Sequence, residues 1–197
     1  MIFVGSWDRQ IRAIDLETGL VDRAFVASKE AIKTLFIYDE WLFVSGNDPV
    51  IRAYDLESGK KKIYEGHLSW VSSMAAYVTH DKQGNVLNKW LISGSDDSTI
   101  RIWDMDSCKK LETLKEHTNG ITCMTVRKKH LYSGSYDHFI LLWDMKLIER
   151  RIAEMIQMEK EELLSRKFEE YNRFLEAKFG KRKPKKGKPA KGKKGKK

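Results

Sequence analysis

The amino-acid sequence predicts an all-β fold of small four-stranded sheets over its first three quarters, followed by one helix and a basic tail. Three observations carry the prediction. A unit of about 40 residues recurs four times between residues 3 and 144. Within each unit, short apolar runs flank Gly/Ser/Asn/Asp clusters, as they do in hairpins. Past residue 144 the apolar spacing changes from two to three and four, and lysine then takes over.

The repeat aligns FVGSWDRQIRAID (Phe3 to Asp15), FVSGNDPVIRAYD (Phe43 to Asp55), LISGSDDSTIRIWD (Leu91 to Asp104) and LYSGSYDHFILLWD (Leu131 to Asp144). The closing aspartates Asp15, Asp55, Asp104 and Asp144 lie 40, 49 and 40 residues apart. The long interval contains Thr79 to Asn88, THDKQGNVLN, which reads as a polar loop. Leu-Glu-Thr-Gly (16 to 19) and Leu-Glu-Ser-Gly (56 to 59) mark the next turn in the first two units. A third strand follows, such as Lys110 to Leu114, and then a fourth, such as Ile121 to Val126.

Composition narrows the class further. The chain has 197 residues, 41% of them hydrophobic, with six Trp, seven Tyr and eight Phe that suit a pleated, β-rich interior. No run approaches the roughly 18 uncharged apolar residues that a membrane helix needs. The opening Met1-Ile2-Phe3-Val4-Gly5 has neither a basic n-region nor a long h-region. Cys108 and Cys123 form no CxxC pair, so they read as reduced, partly buried thiols of a cytoplasmic or nuclear protein. Eleven lysines and arginines and no acid fall in residues 181–197; against a net charge of +9, the rest of the chain carries −2. Polyanion binding is therefore expected of the tail and not of the body.

The repeat resembles the WD40 family over about three quarters of the chain. Trp103-Asp104 and Trp143-Asp144 match its naming dipeptide, Gly66-His67 its Gly-His pair, and Glu116-His117 a degraded version of that pair. Asp97 and Asp137 stand six residues before Trp103 and Trp143, the spacing of the family's turn aspartate. Asp8 and Asp48 keep that spacing, but Ile14 and Tyr54 replace the tryptophan and Ser28 stands where His67 would align. The resemblance implies β-propeller blades. It also implies two buried hydrogen-bonded chains, His67–Ser93–Asp97–Trp103 and His117–Ser133–Asp137–Trp143, each favourable only if every member is paired. Partner contacts are implied just before the turn aspartate or at the start of a first strand, at Trp7, Asn47, Asp96, Tyr136 and Trp70.

A Ser, a His and an Asp in each unit invite a catalytic-triad reading. Recurrence in every unit and the lack of a Gly-x-Ser-x-Gly elbow argue against it, and no enzyme, cofactor or metal is expected. His80, His130 and His138 read as surface or loop residues without metal-ligand spacing.

Counting strands gives three, four, four and three, about three and a half blades over residues 1–144. The chain starts at a blade's second strand and its last blade stops after the third. The expectation is an incomplete propeller whose missing blades come from upstream sequence or from another chain. From Met145 to Phe179, Ile148, Ile152, Met155 and Ile156 share one helical face, continued by Leu164, Phe168, Tyr171 and Leu175; residues 145–180 read as a charged amphipathic helix, either docked on the body or offered to a partner, for instance as a coiled coil. Residues 181–197, KRKPKKGKPAKGKKGKK, read as a disordered tail. Lys181, Arg182, Lys183, Lys185, Lys186 and Lys188 are its polyanion-binding candidates, for RNA, acidic protein or nuclear, including nucleolar, import. Three functions follow: a scaffold binding proteins or peptides on propeller faces, a ribonucleoprotein component, and a cytoskeletal or ciliary adaptor.

Overall fold

The structure is a computed structural model, and it describes residues 1–179. Fourteen strands and one helix follow in order: β1 Ile2–Gly5, β2 Gln10–Ile14, β3 Val21–Val26, β4 Ile32–Tyr38, β5 Trp41–Gly46, β6 Ile51–Asp55, β7 Lys61–Tyr64, β8 Val71–His80, β9 Val86–Ser95, β10 Ile100–Asp104, β11 Lys110–Leu114, β12 Ile121–Arg127, β13 His130–Ser135, β14 Ile140–Asp144 and α1 Met145–Phe179. They make four antiparallel sheets, β1-β2-β3, β4-β5-β6-β7, β8-β9-β10-β11 and β12-β13-β14, each in simple sequence order. These are the blades of an incomplete propeller. One compact unit runs from Met1 to Ile152 and a second begins at Ala153.

Each sheet is a meander because its turns are written locally. The closing aspartate accepts backbone N–H bonds from the turn that follows: Asp15 Oδ1 from Thr18 at 2.8 Å, Asp55 Oδ1 from Ser58 at 2.7 Å and Asp104 Oδ1 from Ser107 at 2.7 Å. The turn then closes through a left-handed residue four places after the aspartate, which Gly19 and Gly59 supply with φ of +69°. In the third unit Cys108 takes that place with φ of +59°. In the fourth unit Ile148 falls at the equivalent position, and a β-branched residue is poorly suited to positive φ. The chain continues there as α1, and Asp144 Oδ1 accepts from Lys146 N at 2.9 Å as its N-cap.

The core lies between neighbouring sheets and not within any one of them. Phe3, Ile11 and Phe25 of the first sheet meet Leu42, Val44, Tyr54 and Leu56 of the second. Phe43, Ile51, Ala53 and Tyr64 of the second meet Leu91, Trp103 and Met105 of the third. Ile92, Ile100, Ile102 and Leu114 of the third meet Leu131, Trp143 and Met145, with Ile148 and Ile152 from the first turns of α1. Close approach at the turn end requires glycine at Gly46, where a Cβ would stand 2.0 Å from the Ala31 carbonyl oxygen.

Two sequence expectations need correction. Thr79 to Asn88 is mostly not a loop: Thr79 pairs with Asn88 and His80 with Val86, so β8 and β9 run on as a long hairpin and only residues 81–85 turn. Asp81 closes that turn by accepting from Gln83 N and Asn85 N at 2.8 and 2.9 Å. Cys123 is exposed where partial burial was expected, because it stands on a strand of the terminal sheet that no further sheet covers; Cys108 is half-buried. The α1 stripe is buried only at Ile148 and Ile152; Met155, Ile156, Leu164, Phe168 and Tyr171 are exposed. Among the described residues no helix is long and apolar enough to cross a membrane.

Candidate functional site

Two hydrogen-bonded chains pin the third and fourth sheets. Trp103 Nε1–H donates to Ser93 Oγ at 2.8 Å, Ser93 Oγ lies 2.8 Å from His67 Nε2, and His67 Nδ1 lies 2.9 Å from Asp97 Oδ2. An indole N–H can only donate and an ionised carboxylate can only accept, so one proton order satisfies all four groups. The serine hydroxyl donates to Nε2, and Nδ1–H donates to the aspartate. In the fourth sheet Trp143 Nε1 stands 2.8 Å from Ser133 Oγ, Ser133 Oγ 2.8 Å from His117 Nε2, and His117 Nδ1 2.7 Å from Asp137 Oδ2. Each aspartate also holds its own turn. Asp97 accepts from Leu68 N and Thr99 N, and Asp137 accepts from Thr118 N and Phe139 N.

The electrostatics match this order. Burial pushes the His67 pKa below the usual imidazole range, and the Asp97 bond only partly offsets it, so the ring is neutral. For Asp97 burial acts upward, but hydrogen bonds from His67, Thr99 and Leu68 N outweigh it and hold the carboxyl far below the ordinary carboxylate range. The same balance, with Phe139 N the leading donor, holds Asp137 down to about 2. Ser93 and Ser133 are buried, and an indole N–H and an imidazole occupy each hydroxyl. A serine so enclosed has no path to an acyl substrate, which separates this geometry from a triad nucleophile.

The first two sheets solve the same problem with arginine. Asp8 pairs with Arg12 at 2.5 Å and Asp48 with Arg52 at 2.7 Å, the latter pair well buried. Tyr54 takes the place of the strand tryptophan and donates its hydroxyl hydrogen to the Ala27 carbonyl at 2.7 Å. Sequence reading missed these partners, although the recurring Asp-x-x-x-Arg at 8/12, 48/52 and 97/101 is a visible signal. The fourth sheet has Leu141 at that place.

The turns between the second and third strands and the residues leading into each first strand lie at the same end of the unit. Asn47 N donates to Ala31 O at 3.0 Å, Asp96 N to Trp70 O at 2.9 Å and Tyr136 N to Gly120 O at 3.0 Å, which lashes the two loops together in three sheets. Trp7 stands 83% exposed there, and Tyr136 and Trp70 are exposed as well. Leu68 and Phe139, which the sequence reading did not single out, are also exposed on these loops. Trp70 is not free: Lys33 Nζ sits 5.5 Å over its ring and 3.6 Å from Asp96 Oδ2, a cation shared between a π face and a carboxylate. Asn47 and Asp96 are half-buried. At the other end of the strands, a cavity of about 750 Å³ is lined by the extended β8–β9 hairpin, Lys128, Lys129, His130 and Lys146. The lysines assigned to polyanion binding, Lys181 to Lys188, lie outside the described residues.

Comparison with known proteins agrees with this geometry. The family described as "WD domain, G-beta repeat" matches residues 59–104 and 108–144, the stretch that carries both histidine-centred chains. The fold resembles the crystal structure of the computationally designed Ika4 protein with a TM-score of 0.60 and 21% sequence identity, covering 73% of this chain and 84% of that one. At that identity the likeness speaks for the fold alone. Repeat spacing, four serial antiparallel sheets, paired His–Ser–Asp–Trp chains and the family match converge: residues 59–104 and 108–144 are WD40 repeats, in a chain folded as the blades of an incomplete β-propeller.

Proposed function

We propose that the chain is a protein-interaction scaffold whose contact surface is the turn-bearing rim of its blades. WD40 repeats support a scaffold role at the coarse level. The observation that carries the finer reading is the set of exposed apolar side chains at that one end, Trp7, Leu68, Trp70, Tyr136 and Phe139. Aromatic anchors on a rigid frame bring large contact area at small entropic cost. The hydrogen-bonded chains beneath them make the frame rigid, and their enclosed serines support a binding protein over an enzyme. Peptide display against the full chain tests the reading. Ligands selected on the wild type should weaken at least about tenfold, ~1.4 kcal/mol, on Trp7→Ala combined with Tyr136→Ala. Undiminished binding to that variant would move the contact surface elsewhere.

The composition of residues 181–197 favours a second role within the same scaffold, a tether to polyanions such as RNA or acidic protein segments, or an import signal for the nucleus. Retention of the full chain on heparin should depend steeply on salt and be lost when 181–197 are deleted. Retention unchanged by the deletion would assign the charge effect to the body.

A further inference from the structure

Away from the rim, the junction of the second and third sheets is closed by an ion pair. Lys89, two residues before the buried Leu91, holds Asp39 of the β4–β5 turn with Nζ 2.8 Å from Oδ2, and the same Nζ lies 5.4 Å over the ring of Tyr38. Lys129 is the equivalent residue one sheet further on. It stands two places before the buried Leu131, and its carbonyl accepts from Met145 N at 3.0 Å just as that of Lys89 accepts from Met105 N at 3.0 Å. Tyr77 is the counterpart of Tyr38: each pairs in register with the tryptophan before the buried leucine, Tyr38 with Trp41 and Tyr77 with Trp90.

The junction of the third and fourth sheets has the lysine and the tyrosine but lacks the acid. Asp39 directly follows Tyr38, whereas Val78 follows Tyr77 and the chain runs on as the extended β8–β9 hairpin. The bond from Met145 N to Lys129 O also brings Lys146 beside the Lys128-Lys129 turn. Among the described residues no carboxylate lies within ion-pair distance of these three lysines. The nearest acids in sequence and in the cavity lining are engaged: Glu149 accepts from the Tyr77 hydroxyl at 3.1 Å, Asp81 closes its own turn, and Asp144 caps α1. Here the cavity of about 750 Å³ opens, with the three lysines, Tyr77, Val78 and Leu87 in its lining. Unopposed like charges around a concave, partly apolar wall draw anions to it.

We propose that this cavity receives an acidic peptide segment of a partner protein, with a carboxylate on Lys129 where Asp39 sits on Lys89. Lys128 and Lys146 take neighbouring acidic residues. Val78 and Leu87, the latter 63% exposed, give an aliphatic side chain of the peptide a wall to pack on. That wall favours a peptide over a nucleic-acid backbone, which brings charge to the lysines but no aliphatic group to bury. The volume is within the range of about 300–1,000 Å³ typical of ligand pockets. The site lies at the end opposite the rim aromatics, so it goes beyond the rim reading and does not rest on it.

Fluorescence anisotropy tests the idea, with a labelled peptide Gly-Glu-Asp-Leu-Glu-Asp-Leu-Gly titrated with the full chain at about 0.15 M salt, where distant exposed charges are screened. Lys129→Ala combined with Lys146→Ala should weaken binding about tenfold. Lys60→Ala combined with Lys109→Ala removes the same charge from exposed sites elsewhere, leaves 181–197 intact, and should change it less than about twofold. Leu87→Ser should weaken the leucine peptide and leave a version with glycine for leucine, itself the weaker ligand, unaffected. Trp7→Ala combined with Tyr136→Ala should leave binding unchanged. All three lysines of the cavity are exposed, and tryptophan fluorescence checks that each variant is native; Lys129→Gln with Lys146→Gln is the second pair, should the first fail to fold. Equal losses for the two lysine pairs would assign binding to overall charge or to the tail and overturn the proposal. So would loss on the rim variant, a glycine peptide that binds as tightly as the leucine one, or no saturable binding by about 1 mM. An oligouridylate that displaces the peptide and binds more weakly to the Lys129/Lys146 variant would make the cavity a phosphate site and overturn it as well.

Discussion

Replacing Asp97 with alanine removes the acceptor on which the third sheet's turn end converges. Asp97 Oδ2 takes His67 Nδ1–H and Leu68 N–H, both at 2.9 Å, and Oδ1 takes Thr99 N–H at 3.0 Å and the Thr99 hydroxyl at 2.6 Å. The His67 side chain is fully buried, so its orphaned N–H has no water to turn to. A buried donor left unsatisfied costs about 1–3 kcal/mol. The Leu68 and Thr99 groups lie nearer solvent and regain part of their loss. The sum is about 2–3 kcal/mol, which for a cooperative unit of some 150 residues lowers Tm by about 4–12 °C. Thermal unfolding followed by tryptophan fluorescence measures it, with Asp106→Ala as control, since Asp106 is exposed and a change there should stay within about 0.5 kcal/mol. The coupling is then isolated in a His67→Phe background, where Asp97→Ala should cost less. An unchanged Tm, or an equal cost in both backgrounds, would show that the His67–Asp97 bond does not hold the blade together.

Two further outcomes follow from the same structure. Ile148→Ala, inside the junction of the third and fourth sheets, should cost about 2–4 kcal/mol in denaturant unfolding, while Leu164→Ala, an exposed site of α1, should cost within about 0.5 kcal/mol; equal effects would remove the start of the helix from the core. On acidification, stability should fall in two stages. His67 resists protonation in the folded chain, so below its ordinary pKa of 6.5 the unfolded chain binds the extra proton and stability declines. Asp97 and Asp137 are held low in the folded chain, so a second decline begins as pH falls through 3.8 and continues towards their folded values. Calorimetry across pH reads both, and a Tm that stays flat down to about pH 5 would contradict a neutral buried His67.

The repeat was legible because its parts are local. A turn aspartate, a glycine or its substitute, and strand residues alternating about them all act within a dozen residues, so the spacing Asp97–Trp103 and Asp137–Trp143 carries the blade with it. The members of each chain could be named because the WD40 resemblance implies them: serine, aspartate and tryptophan recur at the same offsets in two units, while the histidine stands 30 residues before Asp97 and 20 before Asp137. Less legible were contacts whose partners come from different units. Lys33, from the second sheet, reaches Trp70 and Asp96 in the third, and no local pattern announces it. The arginine partners of Asp8 and Asp48 stood in plain view but were masked by the histidine pattern of the later units. The β8–β9 extension was misread because polar residues on an exposed hairpin have the composition of a loop.

By itself the sequence determined the hairpin order of the strands and the Ser–Asp–Trp spacing of each hydrogen-bonded chain, since these depend on offsets along the chain and on turn chemistry, and the resemblance those residues carry supplied the histidine. Only the tertiary structure decided which apolar residues become core. Ile100 and Ile140 occupy the same place in the same motif, yet one is sealed and the other lies open. The difference comes from whether another sheet stands in front of it, and burial by a neighbouring sheet is a property of the assembled arc that no single unit encodes.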